Sequence, residues 1–156
     1  MDLYDFYALF IEALAQDTDL DSWGQVQFGQ EISVFADINS ESPPDEADMP
    51  YIIVHTPGSV RGTDMAHQEH SIAINFALNK ETLKVRPDEN LIEPDGIELI
   101  MDFATLIIDS IRGALPANTQ MKYDLLADTI GSLPYAYGDL DMEFITLLTL
   151  GTDPME

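Results

Sequence analysis

Residues 49–78 read MPYIIVHTPGSVRGTDMAHQEHSIAINFAL, and this stretch decides the fold. Pro50, Tyr51, Ile52, Ile53, Val54 and His55 form a short apolar run closed by Thr56, Pro57 and Gly58, the composition of a strand buried on both faces and ended by a turn. From Glu69 to Leu78, Ile72, Ile74, Phe76 and Leu78 fall on one face. Ser71, Ala73, Asn75 and Ala77 fall on the other, the period of two expected of a sheet covered on one side. Gly58 to Gln68 between them is polar and too long for a tight hairpin, so the sequence predicts an extended arm or long loop.

Upstream, Leu3, Phe6, Tyr7, Phe10, Ile11 and Leu14 recur at helical spacing within Asp2 to Ala15, with Asp2 and Asp5 near the positive end of the helix dipole. The segment Asp17 to Ser22 is expected to end that helix, and Gln25 to Phe35 reads as a strand, interrupted near Gly29. Asp37 to Asp48 holds five acids, no base and the pair Pro43 and Pro44, which predicts a solvated loop.

Downstream, Lys80 to Pro94 reads as a polar connection. Asp95, with Glu98 three residues on, has the spacing of a capping box at a helix start. Ile97, Ile100, Met101, Ala104, Ile107, Ile108 and Ile111 then form a broad apolar stripe, closed by Arg112, Gly113 and Pro116. Met121 to Ile130 reads as a strand, followed by a turn at Gly131 and Ser132 and a loop through Pro134, Tyr135, Tyr137 and Gly138. Asp141 to Leu150 reads as the last strand, with Met142, Phe144, Leu148 and Leu150 on one face. The expectation is a single α+β domain over residues 1–156. It has a mostly antiparallel sheet of about five strands, an N-terminal helix and a second helix packed on one face.

Composition bounds the chemistry. A hydrophobic content of 46% is that of a chain with an ordinary core. Six Lys plus Arg against 29 Asp plus Glu give a formal charge of −23, which repels phosphate backbones and anionic lipid and excludes non-specific nucleic-acid binding. Adaptation to high salt, a partner or lumen that needs a negative surface, and plain solubilisation each account for such acidity. With no cysteine, neither a disulfide framework nor a thiolate metal site exists. No segment approaches the ~20 apolar residues of a membrane span. The start Met1, Asp2, Leu3, Tyr4, Asp5 lacks the positive charge of a signal peptide, so the cytoplasm of the producing cell is the expected location.

Candidate motifs resolve into ordinary structure. Asp17, Asp19 and Asp21 have the spacing of the first ligands of a calcium loop, but Ser22 and Phe28 stand where that loop needs its glycine and glutamate. His67, Glu69 and His70 cluster with Asp64, yet on an extended segment His67 and His70 point to opposite faces. No nucleophile elbow, phosphate loop or dinucleotide fingerprint is present, so no enzyme and no cofactor are expected. Lys80, Lys84 and Arg86 gather half of the positive charge within seven residues. They read either as a solvated loop or as a patch that meets Asp37, Glu41, Asp45 or Glu46 on another copy of the chain.

The helix Asp2 to Ala15, the acidic loop leading into Met49 to Val54, the arm to the strand Ser71 to Leu78, the helix Ile97 to Leu115 and the end Asp139 to Leu150 follow one another in a distinctive order. That order resembles the tail-terminator or tail-completion proteins of long-tailed phages and related prophage particles. The resemblance implies a non-enzymatic ring, commonly a hexamer, that caps the tail tube, stops its polymerisation and joins the head-tail connector. The implied partners are the chain itself, the tail tube protein and the connector protein. The implied location is the host cytoplasm during assembly and then the virion tail. Contact surfaces are expected on Gly58 to Gln68 (Arg61, His67), on Asp37 to Asp48 (Asp37, Glu41, Asp45, Glu46) and on Lys80 to Arg86 (Lys80, Lys84, Arg86). The alternative is an acidic adaptor or nucleic-acid mimic that binds a basic protein.

Overall fold

The computed structural model describes residues 3–37, 41–55, 59–64, 67–80, 83–86, 91–128 and 134–147. Its elements run α1 (Leu3–Ala15), α2 (Thr18–Phe28), β1 (Ser33–Ala36), a 3-10 turn (Glu46–Asp48), β2 (Tyr51–Val54), β3 (Ser59–Asp64), β4 (His67–Asn79), β5 (Leu83–Arg86), β6 (Leu91–Pro94), α3 (Asp95–Ala114), β7 (Thr119–Asp128) and β8 (Tyr135–Leu147). The sheet runs β1-β2-β4-β8-β7, with β3 paired to β4 beside β2, and β5 with β6 forms a separate hairpin. Only β1 against β2 is parallel; the other pairings among the described residues are antiparallel. The α+β expectation holds, with α1, α3 and the added α2 on one face.

The strand β2 is buried on both faces, and Ile72, Ile74, Phe76 and Leu78 of β4 are all buried, as the periodicity requires. Phe6, Phe10 and Leu14 of α1 meet them and Phe144 of β8, with the Phe10 and Phe144 rings 4.6 Å apart. On α3 the buried stripe is Leu99, Ile100, Phe103, Ala104, Ile107, Ile108 and Ile111. Phe103 stacks on Trp23 at 4.8 Å and meets Phe76 edge-on at 5.3 Å. Ile97 and Met101, expected in that stripe, stay about half exposed because α2 draws the buried face towards Leu99 and Phe103. Asp95 is the first residue inside the helix rather than its cap.

Four expectations are corrected. Residues 18–28 form a helix, not a loop and a strand. Leu20, Trp23, Gly24 and Phe28 have helical spacing, Asp17 Oδ1 caps the start by accepting from the N–H groups of Asp19 (2.9 Å) and Leu20 (3.0 Å), and Gly29 ends the helix at φ 73°. Asp17 is therefore a cap residue, which accounts for the acidic triplet without calcium.

The arm Gly58 to Gln68 holds β3 and the start of β4. Val54 faces Ile74 and Ser59 faces Ser71, so β3 resumes the pairing of β2 with β4 after four intervening residues on one side and two on the other. Backbone pairing needs no apolar alternation, which is why a polar sequence concealed the strand. Lys80 to Pro94 likewise contains the β5–β6 hairpin, in which Lys84 faces Glu93 in the register. Finally β8 begins at Tyr135, so Tyr135, Tyr137 and Gly138 lie in the ladder and not in a loop. The turns at Thr56 to Gly58 and Gly131 with Ser132, and Leu148 and Leu150 of the expected last strand, lie outside the described residues.

Candidate functional site

The face of the sheet away from the helices is the surface that the fold presents. Strict alternation along β8 sends Ala136, Gly138, Leu140, Met142 and Phe144 inward, all of them buried, and leaves Asp139, Asp141 and Glu143 outside. Neighbours on one face of a strand are about 6.8 Å apart, so these three carboxylates form an evenly spaced row. The register sets Glu143 between Ser71 and Lys122, Asp141 between Ala73 and Asp124, and Asp139 between Asn75 and Leu126. Asp124 and Asp141 are like charges directly opposite, an arrangement that costs a sheet about 0.2–1 kcal/mol. Asp139 is tied down: its Oδ1 accepts from Asn75 Nδ2, while Asn75 Oδ1 accepts from His55 Nε2.

The other end of the same face is apolar. Met49, Tyr51, Ile53 and Ala77 are buried there with Phe35 and Tyr135 packed on them. Burial pushes the Tyr51 hydroxyl above its ordinary pKa, with the neighbouring Tyr137 and Asp48 charges acting in the same direction. The 3-10 turn borders this end through a capping box: Asp45 Oδ1 accepts from the Ala47 N–H and Asp48 Oδ2 from the Asp45 N–H, each at 2.9 Å. Glu46 bridges to the sheet, accepting from Tyr135 Oη at 2.7 Å and from Asn79 Nδ2 at 2.9 Å. An open depression lies beside it, lined by Gln30, Asp45, Glu46, Ala47, Met49 and Asn79.

The expected contact residues are carried by several different elements. Asp37 follows β1 in a left-handed conformation (φ 70°), its N–H donating to the Val54 carbonyl at 2.9 Å, and Glu41 is exposed in the acidic loop. Asp45 and Glu46 are engaged as just described. Lys80 turns back on its own chain: its Nζ donates to the Gln27 carbonyl at 3.2 Å and lies 5.7 Å over the Phe28 ring, a cation at the C-terminal end of α2. Lys84 and Arg86 are on β5, which pairs with β6 in a hairpin separate from the main sheet. Arg61 faces Glu69 in the β3–β4 register, and His67 opens β4 opposite Leu147. His70 is a core residue, its ring 4.6 Å from that of Phe6.

The carboxylate row on β8 was the feature missed. Its signal, the acid-apolar alternation from Gly138 to Phe144, is present in the sequence but was cut in two by starting the strand at Asp141. Among the described residues no group of three or more His, Asp or Glu is placed to hold a metal ion, and no helix is long and apolar enough to cross a membrane.

Comparison with known proteins places the fold. The chain is similar to a chain in the structure titled "Virion of native gene transfer agent (GTA) particle", with a TM-score of 0.51 and 14% identity, over 91% of this chain and 94% of that one. At that identity the likeness shows the fold. No protein-family model matches the chain, and no curated protein matches it.

Proposed function

We propose that this chain is a structural protein of a phage-like particle, a tail-terminator-like domain over residues 1–156 that caps the tail tube as a ring and joins it to the head connector. The observation that carries the reading is the likeness to a virion chain across nearly the whole of both chains, since a shared core alone would leave the ends unmatched. The acidic open face suits a surface past which DNA must slide without sticking, because closely spaced carboxylates repel phosphates. Assembly is the mechanism: the helix-covered core holds the sheet, and the acidic loop, the β3 hairpin and the β5 hairpin supply contacts to neighbours in the particle. Such a protein is non-enzymatic.

The test is tube capping. Purified protein mixed with polymerising tail tube protein should shorten the tubes and appear at one end as a ring. Six copies carry 6 × 23 = 138 formal negative charges, so ring formation should strengthen as salt first rises. Tubes of unchanged length with no bound protein at any salt would overturn the reading.

The evenly spaced carboxylates of β8 support a second reading, an acidic adaptor that imitates nucleic acid and binds a basic partner. A mimic should displace DNA from that partner, and the combined Asp139→Asn, Asp141→Asn and Glu143→Gln variant should lose the competition. A terminator carrying the same changes should still cap tubes.

A further inference from the structure

Among the described residues strand β7 is a ten-residue edge, paired with β8 on one side and exposed along most of its length. Such an edge offers a row of backbone donors and acceptors to any strand that fits it. Its outward face carries Lys122 and Asp124 side by side in the alternation, and its helix-side face carries Met121, Tyr123 and Leu125. Tyr123 is 44% exposed, and Leu126 on the outward face is 65% exposed.

We propose that β7 pairs antiparallel with β7 of a second copy, with Tyr123 on the two-fold axis, joining two sheets into one. A two-fold perpendicular to the sheet keeps each face on its own side, so an unbulged pairing must be centred on a residue. Centred on Lys122 it stacks lysine on lysine, and centred on Asp124 it stacks aspartate on aspartate. Centred on Leu125 it gives up the tyrosine pair and shortens the overlap. Centred on Tyr123, residues 119–127 pair with 127–119. Lys122 then faces Asp124 of the copy twice over, Met121 faces Leu125 twice over, and the two tyrosines meet at the axis.

The charges of a single chain argue for this register. Asp124 lies opposite Asp141 within its own sheet, and the copy's lysine would stand on its other side. A lysine in mid-edge ordinarily guards against strand addition. Here the guard is cancelled, because the complementary acid is two residues along the same strand.

The helix side adds apolar surface. Met101 lies about 160° around α3 from Phe103, the residue that stacks on Trp23, so it projects from the flank away from α2. Ile97 is one turn earlier on that flank, both are 45% exposed, and α3 is one of the elements that packs against β7. In the paired state this strip faces its symmetry copy across the tyrosines.

The contact is isologous and independent of any head-to-tail ring, so the two readings fail separately. The experiment is sedimentation equilibrium at tens of micromolar protein in about 0.15 M salt, where the Debye length is about 8 Å. Wild-type protein should show the mass of two chains, against 17.4 kDa for one. Lys122→Asp alone and Asp124→Lys alone should each weaken dimerisation by about tenfold or more, because each sets like charges opposite one another. An equimolar mixture of the two variants should recover a heterodimer, since acid then faces lysine at both positions. Circular dichroism checks folding, and Leu126→Glu on the exposed face is a second, milder disruption. A monomeric wild type, a mass unmoved by the single changes, or a mixture that stays monomeric would each overturn the proposal.

Discussion

The two faces of one sheet obey different rules. On the helix side, Phe6, Phe10, Phe76, Phe103 and Phe144 are all at or below 1% exposure, and their rings meet in two groups, Phe6 and Phe10 of α1 with Phe144, and Phe76 with Phe103 and Trp23 of α2. On the open side, Asp139, Asp141 and Glu143 stand in water on the same strand as Phe144, one residue out of phase with it. The covered face holds the fold together and admits little change in volume. The open face can change its charge at little structural cost, so it is where a surface suited to a partner can be written. The contrast predicts effects that differ in size and, at the end, in sign.

The largest effect belongs to Phe144→Ala. Phe144 stacks on Phe6 at 5.7 Å and meets Phe10 at a tilt at 4.6 Å, so the cavity left behind is bordered by two rings of α1 held in the packed core, which cannot both collapse into it. Stability measured by urea unfolding should fall by about 3–5 kcal/mol. A loss below about 1 kcal/mol would mean that the helix face tolerates voids as freely as a surface does.

Gly138→Ala tests the same face by overfilling it. Gly138 is buried opposite Phe76 in the register, and a Cβ there would fall within the Phe76 ring, which Phe103 holds from the other side. The ring cannot move without displacing α3. The expected loss of stability in urea unfolding is about 2–3 kcal/mol, and Phe76→Leu in the same chain should recover part of it.

Legibility in the sequence followed the same division. Where one face of an element is buried, periodicity announced it: α1, β2, β4 and most of α3 were readable from spacing alone. The helix α2 was hidden because Gly24 stands at one of its inward positions and Val26, 79% exposed, imitates a strand alternation. The strand β3 was hidden because its sequence is polar, and backbone pairing needs no apolar alternation. The start of β8 was obscured by Pro134 and Gly138, turn-forming residues on either side of two tyrosines that themselves favour strands. The open face was half legible: its acids alternate visibly, but which strand lies opposite them depends on register. Glu46 is joined to Asn79 and Tyr135 across 33 and 89 residues, and Lys80 to Gln27 across 53, distances at which local pattern carries no information.

At the boundary between the two regimes is Asp17, a half-buried acid with a structural task. Its carboxylate satisfies two N–H groups at the start of α2, the helix that steers α3 through Trp23 and Phe103. Asp17→Ala should cost about 1 kcal/mol, and Asp17→Ser should restore most of it, because the hydroxyl can accept from the same donors. If serine and alanine behaved alike, charge at the helix start rather than the hydrogen bond would be the working element.

The smallest effect should have the opposite sign. Asp141 faces Asp124 across the β7–β8 ladder on the open side, where each carboxylate repels the other. Asp141→Asn removes that repulsion without changing side-chain shape, so stability should rise by about 0.2–1 kcal/mol at low salt. The gain should shrink as salt shortens the Debye length from about 10 Å at 0.1 M to about 3 Å at 1 M. Asp139→Asn is the control. Its carboxylate accepts from Asn75, so losing that charge removes an interaction as well as a repulsion, and no comparable gain is expected. Should Asp141→Asn destabilise the protein at every salt concentration, the acidic row would be part of what holds the sheet, and the two faces would no longer be separable.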